Sequence, residues 1–116
     1  MKTYQGSCHC GKVAYEVTMD LGEVMACNCS ICSRSGSLLA FVGAEQFALK
    51  SGEDQLTDYL FNKHHIHHKF CSTCGIKSFA SGKNREGKDT FAINVRCLEG
   101  VDLDSLKVKH VDGRSL

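Results

Sequence analysis

Seven of the eight cysteines in this 116-residue chain fall into three tight clusters, Cys8-x-Cys10, Cys27-x-Cys29-x-x-Cys32 and Cys71-x-x-Cys74, while Cys97 stands apart. Thiols at such spacings converge readily on one ion, whereas the cysteines of a disulfide scaffold are spread to tie distant segments together. The compartment points the same way. The opening stretch MKTYQGSCHCGKVAYEV is polar and broken by glycine, without the apolar run of an export signal. No stretch of about 18 apolar residues suggests a membrane span. The expectation is a cytoplasmic protein in a reducing environment, where structural disulfides do not persist, and whose clustered thiols bind metal.

Composition narrows the class further. A chain of this length is expected to form a single domain over residues 1–116, since two cores would each be very small. Its 42% hydrophobic content places it among globular rather than disordered chains. A formal charge of +1 argues against a nucleic-acid partner, and seven thiolates with two dications would take it to about −2.

Glycine punctuates the sequence and proline is absent. Lys12–Thr18 alternates Val13, Tyr15 and Val17 with Lys12, Ala14, Glu16 and Thr18, the period of a half-buried strand. Further strands are expected at Leu38–Val42, Phe47–Leu49, Leu56–Phe61, Ile76–Ala80, Thr90–Val95 and Val108–Val111, with a polar hairpin loop at Ser81–Lys88. Residues 30–38 hold at most a turn or two of helix, and Asp104–Lys107 one turn. Many short strands at close spacing predict an all-β domain of coiled antiparallel sheets. Phe41, Phe47, Phe61, Phe70, Phe79 and Phe91, scattered through these strands, are expected to form the core.

The first and third clusters read as one closed site. Cys8 and Cys10 precede Gly11, and Cys71 and Cys74 precede Gly75, residues suited to tight metal-binding knuckles. Two knuckles supply four thiolates, the tetrahedral set of structural zinc, and the ion would contribute folding free energy by joining distant segments. Four buried free cysteines are the plainer alternative.

The middle cluster is different in kind. Cys27, Cys29 and Cys32 supply three donors, and three protein ligands with an exchangeable fourth position mark a catalytic zinc that can hold a small thiolate or a water. Alternatively a fourth protein ligand closes the site, from Cys97, His9 or the His64–His68 run, or the cluster is a redox-active thiol pair.

Four segments carry a resemblance. GSCHCGKVAYEV at 6–17, CNCSICSRSG at 27–36, FCSTCGIKSF at 70–79 and AINVRCLEGVD at 92–102 resemble the glutathione-dependent formaldehyde-activating enzyme family, which includes proteins similar to centromere protein V. The resemblance implies an Mss4-like β fold organised around two zinc ions. It matches Cys8, Cys10, Cys71 and Cys74 to the family's structural zinc, and Cys27, Cys29 and Cys32 to its catalytic zinc, which glutathione approaches. The implied activity is that of a carbon–sulfur lyase, forming S-hydroxymethylglutathione from glutathione and formaldehyde. The chain is shorter than the family's glutathione-handling enzymes, and no glutathione-contacting residue is carried over.

Other residues near these motifs have a bland and a sharp reading. As a strand, the run would put His64, Ile66 and His68 on one face and His65 and His67 on the other. These imidazoles are solvated or line a face, or His68 points to the middle site and carries a proton. Arg34 is a surface arginine or a clamp for a substrate carboxylate. Asn94 and Arg96 hold a loop or touch substrate, and Cys97 is a small buried hydrophobe or a fourth ligand. Together the readings predict a zinc-dependent carbon–sulfur lyase acting on a small thiol such as glutathione or its adduct. The rival is a non-catalytic, zinc-stabilised protein-binding or chaperone-like module, since fold alone does not fix function.

Overall fold

In a computed structural model that describes residues 1–60, 66–84 and 86–112, the chain forms ten strands and one short helix. In chain order these are β1 (Lys2–Ser7), β2 (Ala14–Met19), β3 (Glu23–Cys27), α1 (Ser30–Ser35), β4 (Leu39–Gly43), β5 (Phe47–Ser51), β6 (Leu56–Tyr59), β7 (His67–Cys71), β8 (Phe79–Lys83), β9 (Asp89–Asn94) and β10 (Lys107–Val111). Single turns of 3-10 helix fill several connections, among them Val95–Cys97 and Leu103–Ser105. The domain is mostly β, as its many short apolar runs imply.

Two sheets divide the strands. The smaller has the order β1-β2-β5 and the larger the order β10-β3-β4-β9-β8-β7-β6. Among the described residues all strand pairings are antiparallel except that of β10 with β3, which runs in parallel from Lys107↔Glu23 to Val111↔Cys27. Along β2 the alternation is strict: Tyr15, Val17 and Met19 are buried, with Val13 just before them, while the residues between are half-exposed. From the larger sheet Ala40, Val42, Phe79 and Ile93 join this face in one core.

Aromatic rings hold the two sheets together. Phe47 of β5 stacks on Phe91 of β9 at 4.5 Å and lies 4.8 Å from Phe79 of β8, and Tyr15 meets Phe79 edge-on at 5.8 Å. Such pairs add about 0.5–1.5 kcal/mol each beyond the area they bury. The expectation that all six phenylalanines form the core fails at Phe41, which is 52% exposed. Its neighbours Ala40 and Val42 take the inward positions of β4, so the period of two turns Phe41 outward. Phe70 is half-buried, and Phe61 lies outside the described residues.

Several boundaries move for local reasons. The strand expected at Ile76–Ala80 begins at Phe79, because residues 71–76 close into a turn through Gly75 N–H to the Cys71 carbonyl (2.8 Å) and Cys71 N–H to the Ile76 carbonyl (3.1 Å). The hairpin loop is shorter than expected, since β8 runs to Lys83 and β9 starts at Asp89. Strands β1 and β3 carry little signal in the sequence. The first is polar along most of its length, and the second buries fully just Val24. No helix among the described residues is long and apolar enough to cross a membrane.

The connection from β5 to β6 is pinned against the start of β2. Gly52 adopts a φ of 87°, and a Cβ there would overlap the Lys12 carbonyl oxygen and come within 2.7 Å of Val13 Cα. Gly87, at a φ of 78°, has open space where its Cβ would be. Gly52→Ala is therefore expected to cost more than about 2 kcal/mol, against about 1 kcal/mol for Gly87→Ala, which meets backbone strain alone. Denaturant unfolding of both variants at fixed zinc concentration checks this, and equal losses would contradict it.

Candidate metal centres

The four thiols of the first and third clusters meet although 61 residues separate the inner pair. Cys8 and Cys10 follow the end of β1, Cys71 ends β7 and Cys74 lies in the turn after it. Their sulfurs all lie within 4.8 Å of one another, with Cys10 Sγ 3.6 Å from both Cys8 Sγ and Cys71 Sγ. A tetrahedron with zinc–sulfur bonds of about 2.3 Å has edges of about 3.8 Å, so this donor set fits a zinc ion. None of the eight cysteines is disulfide-bonded.

Backbone N–H groups are aimed at these sulfurs, and they lower the pKa of two of them. Val13 N–H donates to Cys8 Sγ at 3.4 Å. The N–H groups of Cys74 and Thr73 face the Cys71 sulfur and lower its pKa. Those of Cys10 and Ile76 take Cys74 down to about 6. For Cys10 the Lys12 N–H favours the thiolate, but desolvation and the facing thiols of Cys8, Cys71 and Cys74 together push it up to about 11. Four sulfurs this close compete for protons unless a cation neutralises them.

Cys97 belongs to this neighbourhood and not to the middle cluster. Burial raises its pKa against the opposing influence of the nearby Ser78 hydroxyl, and Cys8 and Cys74 act on it electrostatically. The alternative in which Cys97 completes the middle cluster is thus not realised. His9, exposed in the first knuckle, joins neither set of sulfurs.

The middle cluster forms where β3 hands over to α1. Cys27 ends the strand, Cys29 takes the N-cap position of the helix in an extended conformation, and Cys32 is buried in its first turn. These three sulfurs also lie within 4.8 Å of one another, and among the described residues no fourth cysteine, histidine or carboxylate joins them. Burial opposes the Cys29 thiolate, but the N–H groups of Cys32 and Ile31 and the neighbouring thiols outweigh it and lower its pKa. Burial, with the Cys29 sulfur alongside, pushes Cys32 up to about 12. Around the cluster, Asn28 Nδ2 donates to Asp112 Oδ1 at 3.0 Å, and Arg96 Nε donates to the Gly36 carbonyl at the helix C-cap at 3.1 Å. A cleft of about 520 Å³ beside α1 is lined by Ser30, Ile31, Arg34, Ser35 and Tyr59. Arg34 itself is folded back, with Nη1 donating to the Ser30 carbonyl at 2.8 Å.

One charged residue at this site has no signal in the sequence. Lys77 is half-buried, and burial lowers its pKa against the opposing influence of the Cys32 and Cys29 sulfurs. Asn94 Nδ2 donates to the Lys77 carbonyl at 3.1 Å, and Asn94 Oδ1 accepts from Arg96 N–H, so Asn94 holds the surrounding backbone. His68 lies in β7 opposite Tyr59 and Ala80, and is 7% exposed. Burial and the Lys77 charge push it down to about 4, against the weaker pull of Asp58. His67, on the opposite face, bonds the Asp58 carboxylate. Ile66 precedes the strand and is exposed, and His64 and His65 lie outside the described residues.

The fold and these two centres define a β domain with one four-sulfur and one three-sulfur cluster, each able to hold a metal ion. The family model of the glutathione-dependent formaldehyde-activating enzymes matches residues 3–110, and the chain belongs to that family. A crystal structure of a Rhodobacter sphaeroides protein, a Northeast Structural Genomics target, is similar with a TM-score of 0.77 and 32% identity, over 90% of this chain and 99% of that one.

The surroundings of His68 make a specific titration behaviour necessary. Because its pKa is lowered to about 4, the ring stays neutral throughout the range in which an ordinary histidine gains its proton. NMR of ring-labelled, zinc-loaded protein is expected to show His68 unprotonated at about pH 5.5. A midpoint at or above the ordinary histidine value of about 6.5 would contradict this burial beside Lys77.

Proposed function

We propose that this chain is a single-domain, zinc-dependent carbon–sulfur lyase of the cytoplasm that acts on a small thiol and its aldehyde adduct. Glutathione and formaldehyde, joined as S-hydroxymethylglutathione, are the substrates that the family suggests. In this reading Cys8, Cys10, Cys71 and Cys74 hold a structural zinc ion, and Cys27, Cys29 and Cys32 hold a catalytic one. The observation that carries it is the contrast between the clusters: four sulfurs converge in one, three in the other, and no fourth donor among the described residues completes the second.

Zinc at the open cluster would supply Lewis acidity that lowers the pKa of an incoming thiol. The protein supplies the rest. Cys29 and Cys32 sit on the first turn of α1, so the helix fixes the direction from which a substrate can approach. The cleft beside α1 offers room for the body of the thiol. A carbon–sulfur bond forms between the thiolate sulfur and the aldehyde carbon, the carbonyl oxygen takes a proton, and the adduct leaves as a hydroxymethyl thioether. His68, the residue expected to carry the thiol proton, is held at a pKa of about 4 by burial and the Lys77 charge and is therefore a weak proton acceptor, so in this reading the thiol proton leaves to solvent.

The protein loaded with two zinc ions should accelerate the equilibration of formaldehyde with glutathione. Cys29→Ser is expected to retain one tightly bound zinc and lose at least about 100-fold in rate. NMR of the methylene signal under exchange conditions, with metal analysis of each variant, checks both. Two bound zinc ions with no acceleration would contradict the enzyme reading and favour a zinc-stabilised binding module.

A further inference from the structure

Lys77 follows the Cys71–Cys74 turn and lies within electrostatic reach of Cys29 and Cys32, and its placement is over-determined. On one side the turn that carries Cys71 and Cys74 is closed by Cys71 N–H to the Ile76 carbonyl at 3.1 Å. On the other, Asn94 grips both following carbonyls, that of Lys77 through Nδ2 at 3.1 Å and that of Ser78 through its backbone N–H at 2.9 Å. Asn94 pairs across β9 and β4 with Leu39, and Leu39 pairs with Met25 of β3, two residues before Cys27. The register therefore brings residue 77 to the sheet end that carries the middle cluster. The groups that act electrostatically on Lys77 are the sulfurs of Cys32 and Cys29, which a metal ion would hold as thiolates, and no carboxylate is among them.

We infer that Lys77 is a positioning residue of the three-cysteine site, its ammonium being the counter-charge that lets this site accept an anionic sulfur in preference to a neutral ligand. Three thiolates around a dication leave one net negative charge, and an incoming thiolate adds a second. In a half-buried setting that repulsion is poorly screened, and a fixed cation offsets it. A neutral donor entering the same position meets no such repulsion and gains little from the ammonium. The closed cluster thereby acquires a part in the chemistry of the open one, because the knuckle that it cross-links is what anchors Lys77. This inference rests on the open cluster being a thiol-binding metal site.

The test replaces zinc with cobalt(II) in the full chain and reads ligand entry from the cobalt absorption bands, with 2-mercaptoethanol as the thiol and imidazole as the neutral ligand. Lys77→Met should weaken the thiol about tenfold while moving imidazole affinity by less than about twofold, and Lys77→Arg should bring the thiol back to within about threefold of wild type. Lys77→Gln carries the same comparison if Lys77→Met fails to hold both cobalt ions. Unchanged thiol affinity in the uncharged variant overturns the inference, as does equal weakening of both ligands, which is what a merely structural lysine would give. A wild-type spectrum that does not respond to thiol at all overturns the thiol-site reading itself, and the role of Lys77 with it.

Discussion

Everything in this structure hangs on the convergence of four cysteine sulfurs from two distant turns. Cys8 and Cys10 leave the end of β1 in the smaller sheet, and Cys71 and Cys74 leave the end of β7 in the larger one. Their meeting fastens the sheets at one end, while Tyr15, Phe47, Phe79 and Phe91 fasten them through the middle. A domain of this size buries a modest fraction of its surface, so a cross-link by metal adds stability that the core alone supplies narrowly. The N–H groups aimed at Cys71 and Cys74 favour the thiolate form of those two sulfurs.

That fastening has consequences for the open cluster. The Cys71–Cys74 turn delays the start of β8, and the residues it displaces from the strand include Lys77, which faces Cys29 and Cys32. The same lysine adds to burial in depressing His68. The two clusters are thus linked by a single short segment, residues 74–78, held by the Cys71–Cys74 turn on one side and by Asn94 on the other. In the proposed reading, three thiolates, a dication and the Lys77 ammonium sum to no net charge, which is the condition for taking in an anionic sulfur.

Both clusters are legible in the cysteine spacing, because ligand spacing is local and nothing in tertiary packing changes it. Val13, Tyr15 and Val17 are legible for the same reason, since an alternating pattern along one strand directly reports its buried face. What the sequence hides is non-local. β10 pairs in parallel with β3, a contact across more than about 80 residues that no local pattern announces. Phe41 reads as core by composition and is turned outward by its register. Lys77 has no periodicity or motif of its own, and its role emerges once Asn94 and the cysteine turn place it opposite a helix far upstream in the chain. Arg34, the more obvious cation in the sequence, is bonded to its own helix instead. Cys97 reads by sequence as a small buried hydrophobe or a fourth ligand of the middle cluster, and the fold sets it near Cys8 and Cys74 instead.

X-ray absorption at the zinc edge tests the central claim most directly, because it counts the sulfurs around the metal. For protein holding two zinc ions, the expected average sulfur number lies between the four of the closed cluster and the three of the open one, rising to four when glutathione is added. Four sulfurs per zinc in the free protein, or a sulfur number that glutathione leaves unchanged, would contradict it.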